Sequence, residues 1–253
     1  MRIILFFLLL CLDFPYWANN TAVDSIFLKV DAISDTSKKI HLLASKSNQL
    51  VNVNNQKSKE YINKALELTE LFNKDTSILI EVYQTKGHLE TSEANYDVAI
   101  EYLLKAYQLA KHITNYNTLA NITNSLGNCY TGIDDVEGQK KFYNLTLEYG
   151  QKANNPQHIA LGNLGYALAL ENINEYDSAL VYHKNSLEIF KSINRSDAIL
   201  ASIINITHNY IRQEQPDSAQ QYFNEGFAYL NQKNVYLIAQ FHISYAEFLY
   251  QKE

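Results

Sequence analysis

The sequence predicts an all-α fold, a solenoid of antiparallel helix pairs with a 40-residue period. Three observations carry this expectation. The first is a set of positions that echo at a spacing of forty. Gly87, Gly127, Ala167 and Thr207 are small or fairly small, and Tyr102, Phe142, Tyr182 and Tyr222 are all aromatic. Ala99, Gln139, Ala179 and Ala219 keep the same spacing, and so do Tyr130, Leu170, Tyr210 and Tyr250. A sustained period in this range belongs to stacked units, each of which buries its apolar face only against its neighbours. The second is composition. A chain of 253 residues, 47% hydrophobic with 8 Gly and 3 Pro, suits a large helical core and is too poor in turn formers for an all-β or disordered chain. The third is the stretch Asn121 to Gly132, where Leu126, Gly127 and Tyr130 have the L-G-x-x-Y spacing that opens a helical hairpin.

Taken in order, residues 1–22 read as a secretory signal. Arg2 gives a positive start, and Ile3 to Leu12 form an apolar run of fitting length. Asp13 and Pro15 end that run, which leaves it too short for a permanent span. Ala18 and Ala22 are candidate cleavage points, so the mature chain is expected to start near residue 19 to 23 and to be periplasmic or secreted. Cys11 raises a lipoprotein reading, but the bulky Leu10 before it is wrong for that processing.

Residues 23–36 form an N-terminal segment, with Ile26, Phe27, Val30 and Ile33 at helical spacing and Asp35 placed to cap the next helix. Five helix pairs are expected at 37–73, 77–113, 117–153, 157–193 and 197–233. The first is the most degraded: its first helix carries Lys46 where later pairs have a small residue. Pro156 and Pro216 mark turns before helices. Ala160 to Leu170 is apolar nearly all round and should be the most enclosed helix. Its register has two readings: Ala167 as the small position, or Gly165, which would move its leucines into the core. A last helix at 235–253, taken as a truncated sixth unit, is expected to pack Ile243, Ala246 and Tyr250 and to expose Phe241, Phe248 and Leu249. Self-association through that end would then be expected.

Several function classes find no support. The net charge of −6 comes without a Lys/Arg stripe, so nucleic acid is not expected as a partner. The seven histidines include no i,i+4 pair and no H-E-x-x-H, so no metal site is expected. There is no phosphate-binding Gly loop and no G-x-S-x-G, so neither an enzyme activity nor a cofactor is expected. Asp134-Asp135 sits in a predicted turn and reads as a solvated loop, and Cys129 reads as a small core residue.

These residues resemble the tetratricopeptide repeat. That family places a small residue at repeat position eight, an aromatic at eleven, Ala at twenty, an aromatic or large apolar residue at twenty-four and a small residue at twenty-seven. Gly87, Ala99, Leu103 and Ala106 fill the pattern in the second pair, with Glu90 at the aromatic place. Tyr210, Ala219, Phe223 and Gly226 fill it in the fifth, while the third departs at Gln139 and the fourth at His183. The resemblance covers nearly all of the mature chain and implies a right-handed solenoid. Val23-Asp24-Ser25, Asp35-Thr36 and Lys64-Ala65-Leu66-Glu67-Leu68, coming after the signal, are similar to exported tetratricopeptide sensor regions of Bacteroidota histidine kinases and related regulators. In those proteins a membrane helix and a signalling domain come next, which would make this chain a free-standing or shortened relative.

The resemblance also implies a groove lined by the first helix of each pair. Its inner positions fall on Glu81, Gln84 and His88, on Asn121, Asn124 and Asn128, on Leu164, Leu168, Glu171 and Asn172, and on Ile204, His208 and Arg212, with Asn205 beside them. Asn121, Asn124 and Asn128 share one helix face at i, i+3 and i+7. An amide donates and accepts at once, which suits the main chain of a bound peptide. Leu164 and Leu168 could seat an apolar side chain. Because Asn is frequent throughout this sequence, the same amides also read as ordinary solvated surface. The expected function is therefore a non-enzymatic peptide- or protein-binding module, with signal sensing as one form of that role; a structural scaffold of a bacterial envelope assembly is the alternative.

Overall fold

The computed structural model describes residues 30, 32–72, 75–230 and 234–252. The expected signal, residues 1–22, and residues 23–29 and 31 of the N-terminal segment lie outside the described residues. The chain divides into two compact units, Met1–Asn115 and Tyr116–Glu253.

Unit 1 holds two hairpins, α1 (Thr36–Leu50) with α2 (Asn55–Phe72) and α3 (Thr76–Ser92) with α4 (Tyr96–Ile113). Unit 2 holds three, α5 (Tyr116–Gly132) with α6 (Val136–Lys152), α7 (Pro156–Glu171) with α8 (Tyr176–Ser192), and α9 (Ser196–Arg212) with α10 (Pro216–Gly226). A short 3₁₀ turn, Phe227–Tyr229, precedes α11 (Val235–Lys252). Among the described residues there is no strand.

One local device recurs along the chain. Ala94, Thr114, Asp134, Asn154, Asn174, Asn194 and Glu214 all have left-handed backbone, at intervals of twenty residues. At six of these ends the same two bonds close the helix. In the first, Asn95 N–H donates to the Glu90 carbonyl at 2.9 Å and Ala94 N–H to the Thr91 carbonyl at 3.0 Å. This is a Schellman cap, which satisfies carbonyls the helix would otherwise leave bare. The repeat of forty is thus two nearly equal halves. Starts are capped too: Asp75 accepts from Ser77 N–H at 2.8 Å, Asp135 from Gly138 N–H at 2.9 Å and Asn155 from Gln157 N–H at 3.0 Å.

Small residues set the spacing within pairs. A Cβ on Gly87 would meet the Leu103 side chain at 2.6 Å, and one on Gly127 the Tyr143 ring at 2.6 Å. In the fourth pair, Ala167, Leu170 and Ala179 form one buried cluster, which selects Ala167 as the small position. Gly162 and Gly165 face α6 instead, against Leu147 and Tyr143. Leu164 and Leu168 stay half-buried on α7 and do not enter the core.

Two expectations are corrected. In the first pair the small position is Ser47, not Lys46. Ser47 is fully buried and its hydroxyl lies 2.9 Å from that of Ser58 on α2, while Lys46 is half-exposed and donates to Gln49 Oε1 at 2.9 Å. The last helix is rotated from the expected orientation. Phe241 and Phe248 are buried at 0% and 2% exposure, whereas Ile243 and Tyr250 stand 58% and 82% exposed. The cause is an aromatic cluster: Phe223 meets Phe241 at 5.6 Å and Phe248 at 5.2 Å, and Phe227 meets Phe241 at 5.2 Å. Gly226 leaves the room that Phe241 needs. Ile243 and Tyr250 lie forty residues after Ile203 and Tyr210, which α9 buries.

Candidate functional site

The first helices of the pairs carry the sequence-predicted residues. In unit 1, Gln84 and His88 are half-buried on α3. His88 Nδ1 lies 3.3 Å from Asn48 Oδ1 on α1, and His41 Nδ1 lies 2.6 Å from Glu81 Oε2. Like positions of successive pairs therefore touch across this face. Desolvation lowers the pKa of His88. An open apolar cleft of about 490 Å³ in this unit is lined by Leu79, Tyr83, Glu101, Leu104, Lys105, Gln108 and Leu109, none of them on the predicted stripe.

In unit 2, α5 carries Asn121 and Asn128 exposed and Asn124 half-buried. The alternation comes from the helix period: Ile122, Thr123, Leu126 and Gly127 turn inward and leave the amides outward. Leu164 and Leu168 are half-buried on α7, and Leu161 and Leu164 rest on the unit's main core. Asn117 Oδ1 accepts from Asn155 Nδ2 at 2.8 Å, tying the start of α7 to α5. Asn209 Nδ2 donates to Glu171 Oε1 at 2.8 Å, tying α9 to the end of α7. The amide ridge and the leucine ridge thus belong to one packed face.

On α9 the placement differs from the expectation. Ile204 is fully buried and Asn205 is only 5% exposed, because neighbouring elements cover α9 over most of its circumference. Asn205 Nδ2 has no hydrogen-bond partner among the described residues. His208 is half-buried, with Nε2 2.8 Å from Ser244 Oγ on α11. Burial lowers the pKa of His208, partly opposed by the carboxylates of Glu171 and Glu247. Arg212 is exposed.

Three second-helix residues reach forward to this face. Tyr143 on α6 donates its hydroxyl proton to Asn128 Oδ1 at 2.8 Å and lies 3.1 Å from Thr131 Oγ1. Its ring fits between α5 and α7 because Gly127 and Gly165 flank it. Burial pushes the Tyr143 hydroxyl up to about 12, with the Thr131 contact opposing. Gln139, fully buried one turn earlier on α6, accepts from Asn172 Nδ2 at 3.0 Å. His183 on α8 is fully buried with Nε2 3.1 Å from Glu171 Oε1. Burial raises the Glu171 carboxyl, but the bonds from His183 and Asn209 and the charge of Arg212 outweigh it, so its pKa ends below the ordinary value.

Sequence reasoning did not assign Gln139, Tyr143, His183 or Asn209 to the site. A signal for two of them was present. Gln139 and His183 depart from the repeat pattern in the third and fourth pairs, and a polar group at a buried repeat position needs a partner.

Among the described residues no group of three or more His, Cys, Asp or Glu gathers as a metal site, and no helix is long and apolar enough to cross a membrane.

Comparisons with known proteins fit this geometry. Residues 80–112, which span α3 and α4, match the tetratricopeptide repeat family model. No curated protein matches the chain. Among solved structures, a signal transduction ATPase with numerous domains and a tetratricopeptide repeat sensor, from Pyrococcus horikoshii, is similar with a TM-score of 0.77 and 16% identity. That likeness covers 91% of this chain and 36% of the other. NprR in complex with its cognate peptide NprX is similar with a TM-score of 0.61 and 16% identity, over 90% of this chain and 64% of that one. A Rap protein complexed with competence and sporulation factor is similar with a TM-score of 0.67 and 12% identity, over 90% and 62%. The chain thus spans about a third of the first relative and under two thirds of the other two. Residues 80–112 are a tetratricopeptide repeat, the helix pairs before and after them in sequence share its fold, and the chain is a tetratricopeptide-repeat-like solenoid protein.

Proposed function

We propose that this chain is a non-enzymatic module that binds a peptide or a protein segment along the first-helix face of unit 2. The observation that carries the proposal is the pairing of an amide ridge, Asn121, Asn124 and Asn128, with a half-buried leucine ridge, Leu164 and Leu168, on one packed face. Amides suit the alternating groups of a peptide main chain, and half-buried leucines suit one apolar side chain of the ligand. The similarity to NprR, solved with its peptide NprX, supports a peptide as the ligand class. His208, Asn172 and Arg212 border the ridges, and Gln84 and His88 offer a second polar stripe on unit 1. Arg212 makes an acidic ligand group favourable, with a salt-sensitive effect.

Export and sensing belong to the same reading. Arg2 and the Ile3–Leu12 run support an exported chain, and the resemblance to sensor regions supports a signal as the ligand. A second reading, an envelope scaffold that self-associates, is favoured by the apolar side chains Ile243, Leu249 and Tyr250 exposed on α11.

The test is a random-peptide display selection on the intact chain, then calorimetry of a recovered peptide and mapping by amide chemical shifts. Shifts confined to α5, α7 and α9 support the proposal. No recovered peptide, together with concentration-dependent sedimentation abolished by Tyr250→Asp, would favour the scaffold. N-terminal sequencing from the native host tests export: a start near residue 19 to 23 is expected, and an intact Met1 on cytoplasmic protein would contradict it.

A further inference from the structure

Two amides of unit 2, Asn128 and Asn172, are each held by a second-helix side chain. Asn128 accepts the Tyr143 hydroxyl proton on Oδ1, and neither hydrogen of its Nδ2 has a partner among the described residues. Asn172 is the reverse: its Nδ2 donates to Gln139 Oε1, and its Oδ1 has no partner among them. Both residues are exposed. The first therefore offers a donor to solvent and the second an acceptor.

The placement of protons supports this polarity. The Thr131 hydroxyl donates to the Gly127 carbonyl at 3.0 Å, so it does not compete to donate to Asn128. The Tyr143 hydroxyl is nearer Asn128 Oδ1, at 2.8 Å, than Thr131 Oγ1, at 3.1 Å, and a carbonyl oxygen is the better acceptor. Gln139 is held in turn: its Nε2 donates to the Tyr130 carbonyl at 3.4 Å, which leaves Oε1 for Asn172. The two supporting residues are i and i+4 on α6, roughly 6 Å apart.

We propose that Tyr143 and Gln139 are positioning residues that fix the Asn128 and Asn172 amides in opposite senses. This stretch of unit 2 then takes a peptide main chain with a carbonyl against Asn128 Nδ2 and an N–H against Asn172 Oδ1. The inference rests on the peptide-binding reading above and deepens it, since it sets the direction in which the main chain lies. It also gives a reason for two features of the third and fourth pairs. Gly127 and Gly165 open the slot through which the Tyr143 ring reaches the face, and Gln139 stands where Ala99, Ala179 and Ala219 stand in other pairs.

The probe is a peptide recovered by display on the intact chain, in its ordinary form and with single N-methyl substitutions along its main chain. Tyr143→Phe keeps the ring in its slot and removes only the hydroxyl; Gln139→Ala installs the residue of the other pairs. Each is expected to weaken the ordinary peptide roughly three- to tenfold with little change in the thermal midpoint, as loss of one oriented hydrogen bond should. One N-methyl position should weaken binding to wild type and lose that effect in Gln139→Ala. Asn128→Asp, which still accepts from Tyr143 and cannot donate, should bind as poorly as Asn128→Ala. Without any peptide, the Asn128 side-chain amide resonances should be sharp in wild type and broadened by flipping in Tyr143→Phe. If Asn128→Ala weakens binding while Tyr143→Phe, Gln139→Ala and Asn128→Asp do not, this inference falls and the peptide-binding face stands. If Asn128→Ala and Asn124→Ala are also without effect, the face itself is wrong. Sharp, unchanged Asn128 resonances in Tyr143→Phe overturn the inference whether or not a peptide is found.

Discussion

Gly162→Ala is the most discriminating change of one methyl group. Gly162 lies where α7 crosses α6, and a Cβ there would come within 2.6 Å of Leu147 N and 2.8 Å of Leu147 Cα. Those are backbone atoms, so no rotamer change relieves the contact; the two helices must move apart. Overpacking of this kind costs about 1–3 kcal/mol, and a rigid backbone contact belongs in the upper half of that range. Ala gains about 1 kcal/mol over Gly in a helix interior. The net expectation is a loss of about 1–2 kcal/mol, which for a chain of this size lowers the thermal midpoint by about 2–8 °C. Thermal melts and urea titrations of the variant beside wild type measure it. The sign decides the matter. If α6 and α7 did not approach here, the helix-propensity gain would act alone and the variant would be more stable than wild type by about 1 kcal/mol. That result would refute the packing of the third pair on the fourth.

Two further outcomes rest on the same geometry. Ala94 holds left-handed backbone at the end of α3 with φ of 60°, a conformation that costs an ordinary residue about 1–2 kcal/mol, so Ala94→Gly should stabilise the chain by about 1 kcal/mol in urea titrations. The Glu171 carboxyl is held below its ordinary 4.5 in the folded chain, so between the two values the unfolded chain binds more protons. Its contribution to stability is complete above pH 4.5 and is lost as pH falls through the folded value, and Glu171→Gln should flatten the acid limb of a stability–pH curve.

Much of this architecture was legible in the residues. The spacing of forty among Gly87, Gly127, Ala167 and Ala99, Ala179, Ala219 reports helix contact directly, because only small side chains allow close approach. The half-period of twenty was harder to read. Left-handed positions fall on Ala94, Thr114, Asp134 and Glu214 as well as on three asparagines at this spacing, and none on glycine, so no single residue type marks them. The orientation of α11 was not legible from phase alone. Ile243 and Tyr250 keep the repeat's register, but Phe241 and Phe248 bury more aromatic surface against Phe223 and Phe227, and that gain decides which face turns inward. At the site, the exposed amides of α5 could be placed from i, i+3, i+7 spacing, whereas Asn205 could not. Its burial depends on the apolar neighbours that surround α9 in three dimensions. The buried residues that reach the face, Gln139, Tyr143 and His183, sit on second helices, and the reach of Tyr143 depends on gaps left by glycines on other elements.

The amide ridge of α5 is proposed to hold the main chain of a peptide. The affinity of a display-selected peptide for the double variant Asn124→Ala, Asn128→Ala tests it most directly, measured by calorimetry beside an α6 surface double variant, Lys141→Ala, Asn144→Ala. Each lost hydrogen bond contributes about 0.5–1.5 kcal/mol, so the ridge variant should bind about 1–3 kcal/mol more weakly, up to about a hundredfold, with an unchanged thermal midpoint. The α6 surface variant should bind like wild type. Full affinity in the ridge variant, with loss in the α6 surface variant, would contradict the claim and place the binding surface on the second helices.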